Sequence, residues 1–284
     1  MFDPWSKTGS NPPHKLAGVY LPRHFAARDA AEVAAFVDGV GAADLVTFDG
    51  TKPVASLIPV IWDRSAAAVA ERGRARSGGG RGAGAGAERG RARSAGTGAE
   101  RGGGKSRARA REEQSAGAGR AAYGRLLGHL ALANPQWRSA GPGTVALAIV
   151  HGPQAYVSPS WYPSTARHGK MVPTWNYISV HFTGPLTVHR DAEWLRDLVG
   201  RLTSRHEDGR PAPWHVADAP REFIDSQLRA IVGIELTITT VEAKEKLSQN
   251  RNDEDRAGAL AGLRGEPGPG PAAIAARMAE LARD

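Results

Sequence analysis

An α+β fold built on a closed or partly closed β-barrel is predicted by two features of the chain. At least six short β-branched runs follow one another at close spacing, and amphipathic helical patterns stand before and after them. A third feature sets the organisation: the strand pattern breaks off at residue 65 and resumes after residue 120, with a segment of different composition between.

Residues 1–17 are rich in Pro, Gly, Ser and Lys and show no apolar period, which predicts a disordered extension. The domain then opens with a helix. Asp29 stands as its cap, Val33, Phe36, Val37 and Val40 recur at helical spacing, and Gly41 is the stop. "ADLVTF" and "PVASLIPVIW" read as two strands joined at "DGTKP", with Asp49-Gly50 as the turn signal. After the interruption "YGRLLGHLALANPQW" begins as a strand and turns near Asn134-Pro135, and "TVALAIV" is a buried strand. "AYVSPSWYPS" and "TWNYISVHFTGPLTVH" read as further β-rich runs.

Helical patterns dominate the last third. "DAEWLRDLVGRLTSRHE" carries Trp194, Leu195, Leu198, Val199 and Leu202 on one face. "DAPREFIDSQLRAIVG" reads as a helix with Asp218 near its start and Phe223, Ile224, Leu228, Ile231 and Val232 inward. One strand, "IELTITTVEAK", follows, and then a helical tail broken by "GEPGPG". The domain boundaries are accordingly 18–264, interrupted by 65–120, with 265–284 as linker and C-terminal helix.

The chain has 284 residues, of which 41% are hydrophobic, enough for a sizeable core. Its formal charge of +8 would point to a polyanionic partner, yet the span Arg64–Arg120 alone carries a net +9, which leaves the remainder at −1. That span is Ala, Gly, Arg, Ser and Glu with almost no large apolar residue, and it repeats "AERGRARS" at 70–77 and 87–94. Too little surface can be buried there to offset ordering entropy, so a disordered low-complexity insertion is predicted. It has no Phe or Tyr between its arginines, so DNA or RNA binding through it would be salt-sensitive and sequence-blind.

Several chemistries are excluded or disfavoured by pattern. No cysteine means no disulfide, thiolate metal site or cysteine nucleophile. The N-terminal residues lack the apolar stretch of a signal peptide, no segment approaches a membrane span, and a cytoplasmic location is expected. "AERGGGKS", 99–106, fits a loose phosphate-loop pattern but lacks the strand before it and the apolar-faced helix after it. The nine histidines show no metal-ligand spacing, and His151, His181 and His189 fall in or beside strands. No nucleophile elbow is present.

What remains is a polar and aromatic region, 158–177 together with 128–137. Tryptophan and tyrosine faces beside Asn, Lys and Ser suit a planar ligand, and the same residues would equally suit a barrel core and dimer interface. Lys170, between "HG" and "VPTWNY", suits a phosphate or carboxylate better than a core.

Six blocks in order, "GHLALANPQW", "GPQAYVSPSWY", "HGKMVPTWNYISVH", "RLTSRHE", "PWHVADAPREFIDSQLRAIVGIEL" and "KLSQNRNDEDRAGALAGL", closely resemble the PaiB-type family of FMN-binding negative transcriptional regulators. The resemblance runs from about Val19 to Leu263 apart from the insertion. It implies a split β-barrel of the FMN-binding type with flanking helices, a homodimer, and the Arg/Gly tract as an insertion into a hairpin. It also implies FMN or a related planar flavin as ligand, with His129, Asn134, Trp137, Lys170, Trp175, Asn176 and Tyr177 as the candidate pocket. Where the family reads His-Leu-Pro this chain has Leu57-Ile58-Pro59, and where it reads Ala-Arg-Ala-Asn-Pro the arginine is Leu132. Both positions bear on the expected flavin phosphate, and leucine cannot replace a bidentate guanidinium. The resemblance favours a regulator over catalysis, with DNA as the corresponding partner. A flavin- or haem-dependent oxidoreductase on the same barrel is the alternative, by fold analogy.

Overall fold

The computed structural model describes residues 20–27, 29–65, 123–141 and 143–283. The expected N-terminal extension, nearly all of the Arg/Gly insertion and its phosphate-loop mimic lie outside them. The chain divides into two compact units. One comprises Ala30–His151 and Val180–Val241, and the other the described parts of Met1–Asp29, Gly152–Ser179 and Glu242–Asp284.

Seven strands form: β1 (Ala42–Phe48), β2 (Pro53–Asp63), β3 (Arg125–Ala131), β4 (Val145–Val157), β5 (Thr174–His189), β6 (Ile231–Thr237) and β7 (Thr240–Lys246). Their order is β4-β1-β2-β3-β6-β5-β7, and β4 also pairs with β5. Six strands therefore close a ring, and the expected α+β split barrel is present. The long strands β4 and β5 each contribute one part to each unit.

In the first unit, helix α1 (Ala30–Val40) leads into β1 through Gly41, whose φ of +67° is the left-handed stop the sequence predicts. Ala34 and Val37 are its buried positions; Val40, the last residue of the helix, is exposed. The β1–β2 hairpin is held by Asp49, whose carboxylate accepts the N–H groups of Thr51 and Lys52 at 2.8 and 2.9 Å. Strands β2 and β3 pair from Val60↔Gly128 to Asp63↔Arg125, and Trp62 Nε1 donates to the Tyr123 carbonyl at 2.7 Å. The two ends of the interrupted segment therefore meet, as an insertion into a hairpin requires.

Leu45, Ile58, Val60, Val150, Phe182 and Ile234 are buried, with Trp62 edge-on to Phe182. Helix α2 (Pro163–His168) belongs to the other unit. Helix α3 (Ala192–Glu207), capped by Asp191, covers β3 through the Leu127, Leu198 and Leu202 cluster. Leu195 packs on Ile224 and Leu228 of α4 (Arg221–Leu228).

Two sequence expectations fail at α4. Asp218 does stand near its start, three residues before Arg221, but Phe223, expected inward, is exposed. The apolar run "IVGIEL" leaves the helix and becomes β6, because β-branched residues flanking Gly233 pair with β3 and the glycine admits the Trp194 ring against the strand. The single strand expected after α4 is thus two, β6 and β7.

The outward positions of β1, β2 and β4 form an apolar surface. Val46, Phe48, Ala55, Leu57, Pro59, Val145, Leu147 and Ile149 alternate with the buried set. Register places Asp44 opposite Leu57 and Ile149, and Val46 opposite Ala55 and Leu147. Asp44 Oδ2 accepts from His151 Nε2 at 3.0 Å, the polar interruption of this face.

In the second unit, "AYVSPSWYPS" is a strand only as far as Val157. Ser158 then caps a 3-10 turn (Pro159–Trp161), and Pro163 opens α2, since prolines at both starts remove strand donors and preset helical φ. Helix α5 (Asp253–Gly265) is capped by Asn252, and α6 (Pro269–Leu281) buries Ile274, Ala275 and Met278. Asp255 on α5 accepts the Ser164 N–H at 3.0 Å and the Asn252 amide at 3.1 Å. Burial pushes its carboxyl up, but these hydrogen bonds and the Arg167 charge outweigh that and hold it below the usual carboxylate range.

Candidate functional site

The seven candidate residues fall in both units: His129, Asn134 and Trp137 in the barrel unit, and Lys170, Trp175, Asn176 and Tyr177 in the other.

In the barrel unit the Asn134-Pro135 block does structural work. Asn134 donates to Ser56 Oγ at 2.9 Å and accepts the Gln136 N–H at 2.9 Å, capping the 3-10 turn Pro135–Ser139. Buried Gln136 ties that turn to the Leu45 and Val54 carbonyls at 2.8 and 3.2 Å. The Asn134–Ser56 bond joins the segments that carry Leu132 and Leu57, so the two positions of departure belong to one corner of the barrel. Trp137 donates Nε1–H to the Leu132 carbonyl at 3.0 Å, and the guanidinium carbons of Arg138 and Arg190 lie 5.3 and 5.7 Å from its ring centroid. A positively charged aromatic surface results. Arg190 was not visible as part of it in the sequence, because it arrives from the end of β5.

His129, on β3, lines a hollow of about 340 Å³ with Pro59, Leu202, His206 and Trp214. Its Nδ1 is buried without a hydrogen-bond partner. Burial therefore pushes its pKa below the ordinary histidine value and keeps the ring neutral.

In the second unit, Trp175, Asn176 and Tyr177 open β5 and alternate in environment. Asn176 is fully buried, and its amide and carbonyl both meet the Ser248 hydroxyl, at 3.1 and 3.2 Å. Ser248 carries a φ of +65°, so the asparagine pins a left-handed turn in "KLSQNR". Trp175 donates Nε1–H to Gln154 at 3.0 Å and lies edge-on to Tyr156. Lys170 follows Gly169, the left-handed end of α2, and is exposed.

Three cations beside these residues went unnoticed in the sequence. Lys244 donates to the Tyr20 carbonyl at 2.8 Å and sits over the Tyr20 and Tyr177 rings. Lys246 donates to Thr174 Oγ1 and the Trp175 carbonyl at 2.6 and 2.7 Å. Arg251 lies over the Tyr162 ring, 5.2 Å from its centroid. Burial, and then the charges of Lys244 and Arg251, push the Lys246 pKa below the usual lysine range. Alternation along β7 is the signal that could have found the two lysines; Arg251 joins them only through the Ser248 turn.

Among the described residues no cluster of His, Asp and Glu is arranged to hold a metal ion, and no helix is long and apolar enough to cross a membrane.

Comparison with known proteins adds the family. A family model described as "Putative FMN-binding domain" matches residues 19–76 and 116–240. The chain is 35% identical over 161 residues to the protease synthase and sporulation protein PAI 2 of Bacillus subtilis, covering 56% of this chain and 72% of that one. It is 30% identical over 171 residues to an uncharacterized protein of Emericella nidulans, covering 51% and 68%. Among solved structures, a FAD- and haem-binding protein of Mycobacterium smegmatis aligns with a TM-score of 0.44 at 16% identity, covering 81% of this chain and 78% of that one. The flavocytochrome Anf3 of Azotobacter vinelandii aligns at 0.45 and 12%, covering 84% and 77%. The chain belongs to the family of the FMN-binding domain.

Proposed function

We propose that this protein is a PaiB-like regulator whose split barrel binds a flavin, FMN by the family's description, and that it works as a homodimer in the cytoplasm. The observation that carries the flavin reading is the extent of the family match. It covers every strand from β1 to β6 and is broken only between residues 76 and 116, so the barrel is whole. Trp137 with its two arginines offers an aromatic face and positive charge to such a ligand, and His129 a neutral ring beside a hollow. On this reading His129 and Trp137 offer aromatic contacts in the barrel unit, where Asn134 holds the turn that presents Trp137; taken by itself, the other unit offers the Trp175 and Tyr177 rings and the Lys170 charge, with Asn176 holding their strand.

The dimer reading is supported by the apolar outer face of β1, β2 and β4, where Leu57 and Val145 are 71% and 62% exposed. A second copy of the same face would cover it. The regulator reading follows the PaiB resemblance, and DNA is its expected partner.

The test is an absorption spectrum of the purified protein followed by titration with FMN and, separately, haem. FMN binding with a shifted flavin band supports the reading; a colourless protein that binds neither sinks it. Light scattering measures the dimer, and Leu147→Glu is expected to give a monomer of unchanged circular dichroism.

A further inference from the structure

We infer that Lys244, Lys246 and Arg251 form an oxyanion site that takes a phosphate group. Lys244 and Lys246 are two residues apart on β7 and so share one face of the strand. The Ser248 turn, closed by the Arg251 N–H to the Ser248 carbonyl at 3.0 Å, turns the chain after the strand, and the Arg251 charge acts on Lys246.

Lys244 is only 7% exposed, and Lys246 and Arg251 are half-buried. Buried cations are ordinarily paired with carboxylates. Among the described residues no carboxylate forms an ion pair with any of the three. Glu245, between the two lysines in sequence, points to the opposite face and is held by Arg277 at 3.0 Å. The Tyr177 and Tyr162 rings spread the charge without neutralising it. Burial first, and then repulsion from Lys244 and Arg251, works against the charge on Lys246.

A dianion would turn this repulsion into attraction. Donors for it remain: Lys246 uses two of its three N–H groups on Thr174 and Trp175, Lys244 uses one on Tyr20, and Arg251 spends only one nitrogen, on the Met171 sulfur. Two ammonium groups and a guanidinium fork suit the three terminal oxygens of a phosphate monoester better than the two of a carboxylate. The phosphate comes either from the flavin cofactor or from a separate phosphorylated small molecule. The inference rests on the flavin reading only for the first of these sources.

The experiment uses the full chain and three probes: inorganic phosphate followed by phosphorus NMR line broadening, and FMN and riboflavin followed by calorimetry. Wild type is compared with Lys246→Gln, Arg251→Gln and the double variant, and sulfate competition is run on wild type alone. Phosphate binding that weakens about tenfold with each cation removed is the expected result. If the cofactor supplies the phosphate, FMN binds wild type more tightly than riboflavin by tenfold or more, and the double variant binds the two equally. If a separate molecule supplies it, FMN and riboflavin bind alike while phosphate binds in the presence of either. Phosphate binding without any flavin binding leaves the oxyanion site standing and removes the flavin reading. The inference is overturned if wild type shows neither phosphate binding nor an FMN preference, if sulfate fails to compete with phosphate, or if the double variant retains wild-type phosphate affinity.

Discussion

Alanine at Gly258 should destabilise the protein although it stands inside a helix, where the same change is ordinarily favourable. In α5 a methyl group gains about 1 kcal/mol of helix propensity. At Gly258 that methyl would fall well inside van der Waals contact of the Trp161 carbonyl oxygen and within 3.1 Å of Pro163 Cδ. The obstacle is backbone followed by proline, so it cannot swing aside as a side chain would, and an overpacking cost near the upper end of about 1–3 kcal/mol is expected. The net loss of about 2 kcal/mol corresponds to a melting point lower by about 4–8 °C for a chain of this size. Gly200 in α3 is the matched control: nothing lies within 4 Å of the added Cβ, so Gly200→Ala should gain up to about 1 kcal/mol. Urea unfolding of both variants, with unchanged slope and shifted midpoint, measures the difference. A Gly258→Ala midpoint at or above that of wild type would refute the packing argument. Because Trp161 adjoins Tyr162, under Arg251, the variant should also weaken phosphate binding.

Three further outcomes are expected. The His129 pKa is depressed in the fold, so its contribution to stability is complete above the unfolded value of about 6.5 and is lost as pH falls through the folded value. His129→Leu should therefore gain on wild type below that pH in chemical denaturation, and parallel curves from pH 8 to 5 would contradict the assignment. Leu57→His with Leu132→Arg restores the family's residues at the corner closed by Asn134 and Ser56, and should tighten FMN about tenfold by titration. Unchanged affinity would dissociate that corner from the ligand. Deleting residues 77–115, which the family model skips, should leave the melting point unchanged or raised, because β2 and β3 already meet at Asp63↔Arg125; a deletion variant that aggregates would show the segment to be part of the fold.

Much of the barrel could be read from the chain because its signals are local. Gly41 stops α1, Asp49-Gly50 makes the first hairpin, and Asp191 caps an α3 whose apolar face repeats from Trp194 to Leu202, about two and a half turns. The boundary between α4 and β6 could not be read, since "RAIVGIEL" is a continuous apolar run and only pairing with β3 makes it a strand. The site was half legible for the same reason. Trp175, Asn176 and Tyr177 stand out as a polar and aromatic block, but the residues that give them a chemical setting, Ser248, Lys244 and Lys246, lie about 70 positions away and meet them by strand pairing. Arg190 reaches Trp137 across a comparable gap.

The Asp44–His151 pair on the outer face of β1 and β4 has a consequence for recognition. Apolar strands are forgiving partners, since a surface of leucine and valine accepts a docking slip of one residue with little penalty. A carboxylate and an imidazole set among them are not forgiving: a partner in the wrong register would bury polar groups without answering their remaining hydrogen-bonding capacity, which disfavours that register. Whatever covers this face must bring a polar group to that one place, so the pair acts as a key cut into an otherwise smooth surface.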